Sequence, residues 1–121
     1  MKAFVTENII GSWLFTRSSQ PNFTPGIVYH FTSENKCYWE IDHGGKRLLS
    51  QVRYRFAGNK ITLIYSSGTE HDFELTAEDD GSLMVPSPNG TKWWMVRLIS
   101  PESYLKAFVD EHGRLQDLEV A

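Results

Sequence analysis

Four histidines and a single cysteine are the side chains of this chain best suited to acid–base, metal or thiol chemistry. The histidines are His30, His43, His71 and His112. None of them has a metal-binding spacing such as His-x-x-x-His beside a glutamate, so we predict no metal site and no cofactor. His71 shares a predicted strand face with Phe73, and we expect it to line an interior as a hydrogen-bonded residue. Cys37 shares a face with Trp39, which favours burial over reactivity.

Catalysis inside a small all-β protein would need two titratable groups that converge on one inner surface. The acidic residues instead fall in turns or on the outward faces of the predicted strands, at Glu40, Asp42, Asp72 and Glu74. One enzyme-like group can be assembled, from Tyr29, Tyr54, Tyr65 and His71. An aromatic core whose hydroxyls bond to backbone or water accounts for the same residues. We therefore predict no catalytic residues, and a small barrel enzyme is the minor alternative.

The elements that position these residues are short runs of aromatic and β-branched residues, separated by turn signals at even intervals. This pattern is typical of consecutive antiparallel strands. In one such run, two sets of residues alternate: Ile27, Tyr29 and Phe31 against Val28, His30 and Thr32. The second set is continued on the next strand by Tyr38 and Glu40. We expect this more polar face to be the wetter one.

Eight strands follow if Ile10–Thr16 is the first strand and Lys92–Ile99 is the last. Antiparallel sheets of this size avoid exposed edges by closing. We therefore predict an all-β, eight-stranded antiparallel up-and-down barrel over residues 9–99. The long first connection, Arg17–Pro25, is expected to cover an open end of this barrel, with Phe23 as an apolar plug. A seven-stranded barrel capped by a helix, as in pleckstrin-like domains, is the alternative fold.

The segment after the last strand has the pattern of an amphipathic helix. Ser100 suits the N-cap position and Pro101 suits the first helical position. The apolar residues that recur at helical spacing are Tyr104, Leu105, Phe108 and Val109. Gly113 follows them as a stop signal. We therefore predict a C-terminal α-helix over residues 101–112 that packs its apolar stripe on the barrel wall.

Length and charge restrict the classes of function. With 121 residues, the chain is sized for one domain, residues 1–121. Its 12 basic and 15 acidic residues give a net charge of -3, without the positive field that nucleic-acid binding uses. No apolar run approaches the roughly 20 residues of a membrane span, and the start, Met1–Asn8, is unlike a signal peptide. We therefore expect a cytoplasmic protein that binds neither nucleic acid nor membrane.

Three residues near the ends of the strand region resemble a known family. Gly11 and Trp13 match the Gly-x-Trp motif that opens the first strand in the lipocalin-like branch of the calycin barrels. Arg97 matches the arginine that packs across the tryptophan ring in that group. The chain resembles the small bacterial lipocalin-like domains over roughly residues 8–112. The resemblance implies structural roles for these three residues and the binding of a hydrophobic ligand.

We therefore predict the non-enzymatic binding of a small, mainly apolar molecule inside the barrel. The residues expected to line that site are Phe23, Tyr29, Phe31, Trp39, Tyr54, Tyr65, His71 and Phe73. The alternative is a protein-interaction module, such as an immunity or regulatory protein, whose barrel is filled by its rings and whose partner is another protein or a second copy. Interior volume discriminates between these functions, because ligand pockets start at about 300 Å³.

Overall fold

The structure, a computed structural model, describes residues 9–23 and 25–118. These residues form eleven β-strands and no α-helix. The strands are β1 (Gly11–Ser18), β2 (Val28–Phe31), β3 (Lys36–His43), β4 (Lys46–Ala57), β5 (Lys60–Ile64), β6 (Glu70–Glu74), β7 (Thr76–Ala77), β8 (Leu83–Pro86), β9 (Lys92–Leu98), β10 (Ala107–Val109) and β11 (Leu115–Asp117). The short turns between most of them lie at the Gly and Asn positions that the sequence marks as turns.

Nine strands form one antiparallel sheet in the order β6-β5-β4-β3-β2-β1-β9-β8-β7. β6 and β7 stand at the two ends of this order, although Leu75 alone separates them in the chain. The sheet therefore curls into a nearly closed barrel, with β6 paired to β5 and β7 paired to β8. This confirms the predicted all-β antiparallel barrel architecture.

The predicted strand count of eight is wrong, because the alternating run over residues 72–77 is divided at Leu75. The N–H of Leu75 donates to the carbonyl of Asn59, just before β5, at 2.7 Å. This bond continues the β5–β6 pairing up to Leu75. Thr76 then pairs with Met84 of β8. The backbone changes its hydrogen-bonding partner within one residue, and period-2 alternation carries no signal for such a change.

The predicted C-terminal helix over residues 101–112 is also wrong. The chain turns at residues 103–104 and then forms a separate hairpin of β10 and β11. Leu105, Ala107 and Val109 are buried at every second position, which is the periodicity of a strand. A short apolar run fits both periods, so the pattern alone does not distinguish them. The N–H groups of Lys106, Ala107 and Val109 bond to acceptors on the barrel instead of to a preceding helical turn.

β10 lies on the outer face of β1 and β2 and covers it. Val28, His30 and Glu40 on this face are each 0% exposed. The expectation that the more polar face is the wetter one is therefore wrong for these strands. The barrel consequently has two buried layers, an aromatic interior and a polar layer beneath the hairpin.

The interior is a single apolar cluster built from the inward-facing residues of the long strands. Its fully buried members are Ile9, Trp13, Phe15, Phe31, Cys37, Tyr54, Ile61, Leu63, Leu75, Leu83 and Met95. Cys37 is 0% exposed, and burial raises the pKa of its thiol well above the usual range. It therefore stays a neutral thiol and packs as a small apolar residue.

Trp13 and Arg97 close the end of the barrel at which β1 begins. They are register partners in the β1–β9 ladder, and the Arg97 guanidinium lies 4.4 Å from the centre of the Trp13 ring. Nη1 of Arg97 also donates to the carbonyl of Ile10 at 2.6 Å. Gly11 has a φ of 145°, and a Cβ at this position would collide with Nη1 of Arg97. The glycine is therefore needed both for its backbone conformation and for the close approach of the guanidinium.

Replacing Arg97 by alanine is expected to lower the free energy of unfolding by about 1 to 3 kcal/mol, because the substitution removes both packing and a hydrogen bond. Urea melts of the two proteins measure this difference. Arg17→Ala is the matched control, because the exposed Arg17 stacks on Trp94 at 4.1 Å. This substitution should lower the free energy of unfolding by less than Arg97→Ala does. Equal midpoints for wild type and Arg97→Ala would contradict a stabilising role for the stacked pair.

Candidate functional site

A pocket of about 260 Å³ lies inside the barrel near the end at which β8 stops and β9 begins. Most of its lining residues have apolar side chains that point inward from strands on both sides of the barrel. They are Phe15, Ile27, Tyr29, Phe31, Ile61, Leu63, Phe73, Val85, Pro86, Ser87, Pro88, Trp93 and Met95. The volume is slightly below the roughly 300 Å³ at which typical ligand pockets begin, so the interior is partly but not completely filled.

Period-2 alternation places these side chains. Phe15 on β1, Tyr29 on β2 and Trp93 on β9 belong to three adjacent strands, and all three rings point to the same side of the sheet. Ring centres of Phe15 and Tyr29 are 4.7 Å apart, and those of Phe15 and Trp93 are 6.3 Å apart. Aromatic pairs favour edge-to-face contacts of this kind. One wall of the pocket is therefore built from rings packed against one another.

Three of the eight residues predicted to bind a ligand line this pocket: Tyr29, Phe31 and Phe73. Four others lie in the same aromatic network but outside the lining: Trp39, Tyr54, Tyr65 and His71. Trp39 stacks on Tyr29 with an interplanar angle of 12° and a centre separation of 5.4 Å. The network continues through Tyr65 to the exposed ring of His71, which lies 6.4 Å from the Phe73 ring.

Phe23, the eighth predicted residue, is absent from the lining but packs against one of the lining rings. Its ring meets that of Trp93 edge to face at 5.4 Å. The segment that carries it is anchored by two bonds to Lys92, since Ser19 N–H donates to the Lys92 carbonyl and Lys92 N–H donates to Ser19 Oγ, each at 2.9 Å. This position agrees with a covering segment, although Thr24 lies outside the described residues.

From its lining and from the pairing of the strands, we infer that the pocket opens to solvent between β6 and β8. Pairing of β8 with β7 ends at Met84, and within residues 9–23 and 25–118 no ladder joins β6 to β8. Phe73 forms one side of the opening, and the segment Val85–Pro88 forms the other. Pro86 and Pro88 carry no N–H group, which leaves fewer unpaired backbone donors at this apolar rim.

Several lining residues are absent from the set predicted to bind ligand. Alternation does place Phe15, Ile61, Leu63 and Trp93 on inner faces, so this signal was available in the sequence. The turn residues at the opening, Pro86, Ser87 and Pro88, have no such signal, because their pattern indicates only a strand end and a turn. Their position depends on how the two ends of the sheet approach each other.

In the described parts of the chain, the side chains of the interior cluster include phenols and a thiol but no carboxylate. Burial is the largest cause that raises the pKa of Tyr29, with smaller contributions from the nearby Cys37 and Tyr65. Burial also raises the pKa of Tyr54 to about 12, and the Tyr54 hydroxyl donates to the carbonyl of Thr32 at 2.6 Å. These groups are therefore neutral at physiological pH, and none of them is a general base.

A polar cluster of three residues lies on the outer face of the barrel wall, beneath β10. Its members are Ser12, His30 and Glu40. Oγ of Ser12 is 2.7 Å from Nδ1 of His30, and Nε2 of His30 is 2.9 Å from Oε1 of Glu40. The residue types are those of a serine hydrolase triad. Exposures of 1%, 0% and 0% keep a substrate away, and Ser12 Oγ already accepts the N–H of Val109 at 3.0 Å. This cluster is therefore structural.

His30 bridges Ser12 and Glu40 through its two ring nitrogens. Nε2 lies against the Glu40 carboxylate, which can only accept, so Nε2–H donates to it, and Nδ1 shares a hydrogen bond with Oγ of Ser12. Glu40 also accepts the Nε–H of Arg47 at 2.8 Å and the backbone N–H groups of Lys106 and Ala107 at 2.7 and 3.2 Å. Burial acts to raise the pKa of the Glu40 carboxyl, but the bonds from His30, Lys106 and Arg47 together outweigh it and lower that pKa.

No protein-family model matches this sequence, and comparisons with curated proteins and with solved structures give no match either. Nothing from a relative can therefore be carried over to the pocket, and its function has to be argued from its own geometry. In the part of the chain that the structure describes, no helix is long and apolar enough to cross a membrane.

Proposed function

We propose that this protein binds a small, mainly apolar molecule in the pocket between β6 and β8 and catalyses no reaction on it. The observation that carries the proposal is a partly empty, apolar interior of about 260 Å³ that opens to solvent. Apolar concave sites with a few polar groups are the usual form of small-molecule sites. The contact of Arg97 with Trp13 beside Gly11 supports a lipocalin-like relationship, for which ligand binding is the expected role.

The volume restricts the size and the affinity of the ligand. About 260 Å³ corresponds to about nine water molecules at roughly 30 Å³ each, so a single ring or a short chain fits. A ligand of this size gains at most about 1.5 kcal/mol per heavy atom, and usually much less. We therefore expect dissociation constants in the micromolar to millimolar range.

Titration with toluene and with 1-octanol tests the proposal. Trp93 lines the pocket, so binding should shift or quench tryptophan emission and should raise the melting temperature. Trp93→Phe is the control, because it removes the reporter ring but keeps an aromatic wall. This variant should lose most of the emission change and keep the rise in melting temperature.

Phe23→Ala is expected to weaken binding of either probe by about threefold to tenfold without unfolding the barrel, because one edge-to-face aromatic contact contributes about 0.5 to 1.5 kcal/mol. The contact that it removes holds the covering segment against Trp93. Tyr104→Ala is the matched control, since this half-exposed ring lies outside the barrel near Arg47. Unchanged affinity in Phe23→Ala would show that the segment does not close the pocket.

The protein-interaction module is the second candidate, and two observations favour it. The rings fill much of the interior. Ile41 and Leu48 are paired across β3 and β4 and remain 37% and 45% exposed, as an interface residue would be in the free protein. The test is a panel of fatty acids, aromatics and haem. If none of them changes the tryptophan emission or the melting temperature, the interaction module is favoured over ligand binding.

A further inference from the structure

We infer that the pocket selects uncharged molecules that carry a hydrogen-bond acceptor, such as a ketone, an ester or an ether, and that it rejects fatty-acid anions of the same size. This inference rests on the proposed function, because it concerns the ligand class of the same pocket. It depends on three features: the absence of charged side chains from the lining, the polar groups that the lining does contain, and the position of the basic side chains around the pocket.

The pocket offers no counter-ion to a buried carboxylate. Among the residues that the structure describes, thirteen line the pocket, and none of them is Lys, Arg or His. A carboxylate that loses its water without gaining a cation or several N–H donors is strongly disfavoured. The same surroundings disfavour ionisation of the Tyr29 hydroxyl, since burial is the main cause that raises the pKa of Tyr29. An anionic ligand head would face the same desolvation.

The polar side-chain groups of the lining are two hydroxyls and one indole N–H. They belong to Tyr29, Ser87 and Trp93. The hydroxyl of Ser87 already has two acceptors, Oδ1 of Asn89 at 2.6 Å and the carbonyl of Thr91 at 3.1 Å. The Trp93 indole nitrogen can only donate, and the neutral Tyr29 hydroxyl has one proton to donate. A neutral oxygen acceptor on the ligand complements these groups better than a hydrocarbon does.

The basic side chains on the strands around the pocket are absent from its lining. His71 is exposed, beside Phe73 at the opening. Lys92 pairs with Pro86 in the β8–β9 ladder, but its side chain is exposed and is not part of the lining. Lys60 on β5 is engaged with Asp72 at 3.6 Å on the outer surface. An anion could reach such a group only by leaving its head at the rim, which would withdraw part of its chain from the apolar interior.

Calorimetric titration at pH 8 with 2-octanone, octanoate and toluene tests the inference on the wild-type protein. We expect 2-octanone to bind at least about 100-fold more tightly than octanoate, because the two chains match and the head groups differ in charge. Tyr29→Phe keeps the ring that stacks on Trp39 and removes the hydroxyl. This variant should bind 2-octanone about threefold to tenfold more weakly than wild type and should bind toluene with unchanged affinity.

The outcomes separate this inference from the proposed function. Octanoate binding as tightly as 2-octanone would overturn the inference while leaving ligand binding intact, and loss of that octanoate binding in Lys92→Gln would place the anion at the rim. Equal losses of 2-octanone and toluene affinity in Tyr29→Phe would overturn the role of the hydroxyl. Failure of both neutral probes to bind would overturn the proposed function and the inference together.

Discussion

Replacing Glu40 by alanine is expected to lower the free energy of unfolding by about 3 to 5 kcal/mol, because it removes the acceptor that a buried polar layer shares. Glu40 is 0% exposed and receives bonds from His30, Arg47 and the backbone of β10. Without it, the N–H groups of Lys106 and Ala107 lose a buried acceptor, and the partly exposed Arg47 guanidinium loses its ion-pair partner. Urea unfolding measures the loss.

Glu70→Ala is the matched control for Glu40→Ala. Glu70 also pairs with an arginine, Arg55, at 3.0 Å, but both side chains are about half exposed. Exposed pairs contribute little, so this variant should unfold close to wild type. Glu40→Gln should lie between the two, since an amide keeps the shape and one acceptor oxygen. A Glu40→Ala protein with the wild-type midpoint would show that the polar layer does not stabilise the fold.

The contribution of Glu40 should also depend on pH. The pKa of its carboxyl is lowered in the folded protein from the ordinary value of 4.5. A lowered folded-state pKa means that the contribution is present above about pH 4.5 and is lost as pH falls through the folded-state pKa. Urea midpoints between pH 6 and pH 3 should therefore fall more steeply for wild type than for Glu40→Gln. Parallel pH profiles for these two proteins would contradict this linkage.

Deleting residues 101–121 should cause the second large effect, a loss of stability accompanied by self-association. The deletion removes β10 and uncovers Val28, His30 and Glu40 on the outer wall. It also removes the backbone N–H groups that bond to Ser12 and Glu40. Apolar area and an incompletely bonded carboxylate would then face solvent together, which favours association through this wall.

Light scattering and urea unfolding of the truncated protein measure these effects. Deletion of residues 119–121 alone is the control, because it leaves both strands of the hairpin in place. A monomeric truncated protein with an unchanged melt would show that the hairpin adds nothing to the barrel.

The sequence by itself determined the barrel and its aromatic interior. Long strands such as β1 and β4 repeat the two-residue alternation often enough to assign an inner face, and turn residues separate them at short intervals. The pairing of Trp13 with Arg97 was also predictable, because it follows from a motif at each end of the strand region. The identities of Tyr29, Phe31 and Phe73 as pocket residues followed from the same alternation.

Only the tertiary structure decided the C-terminal hairpin, the buried outer face and the opening of the pocket. Residues 105–109 are too few to separate strand from helical periodicity, and their conformation depends on acceptors distant in the chain. Lys106 bonds to Glu40 and Val109 bonds to Ser12, 66 and 97 positions away. The opening likewise arises where β6 and β8 approach without pairing. Local pattern reports which face of a strand is apolar, whereas contacts between distant segments decide what covers the other face.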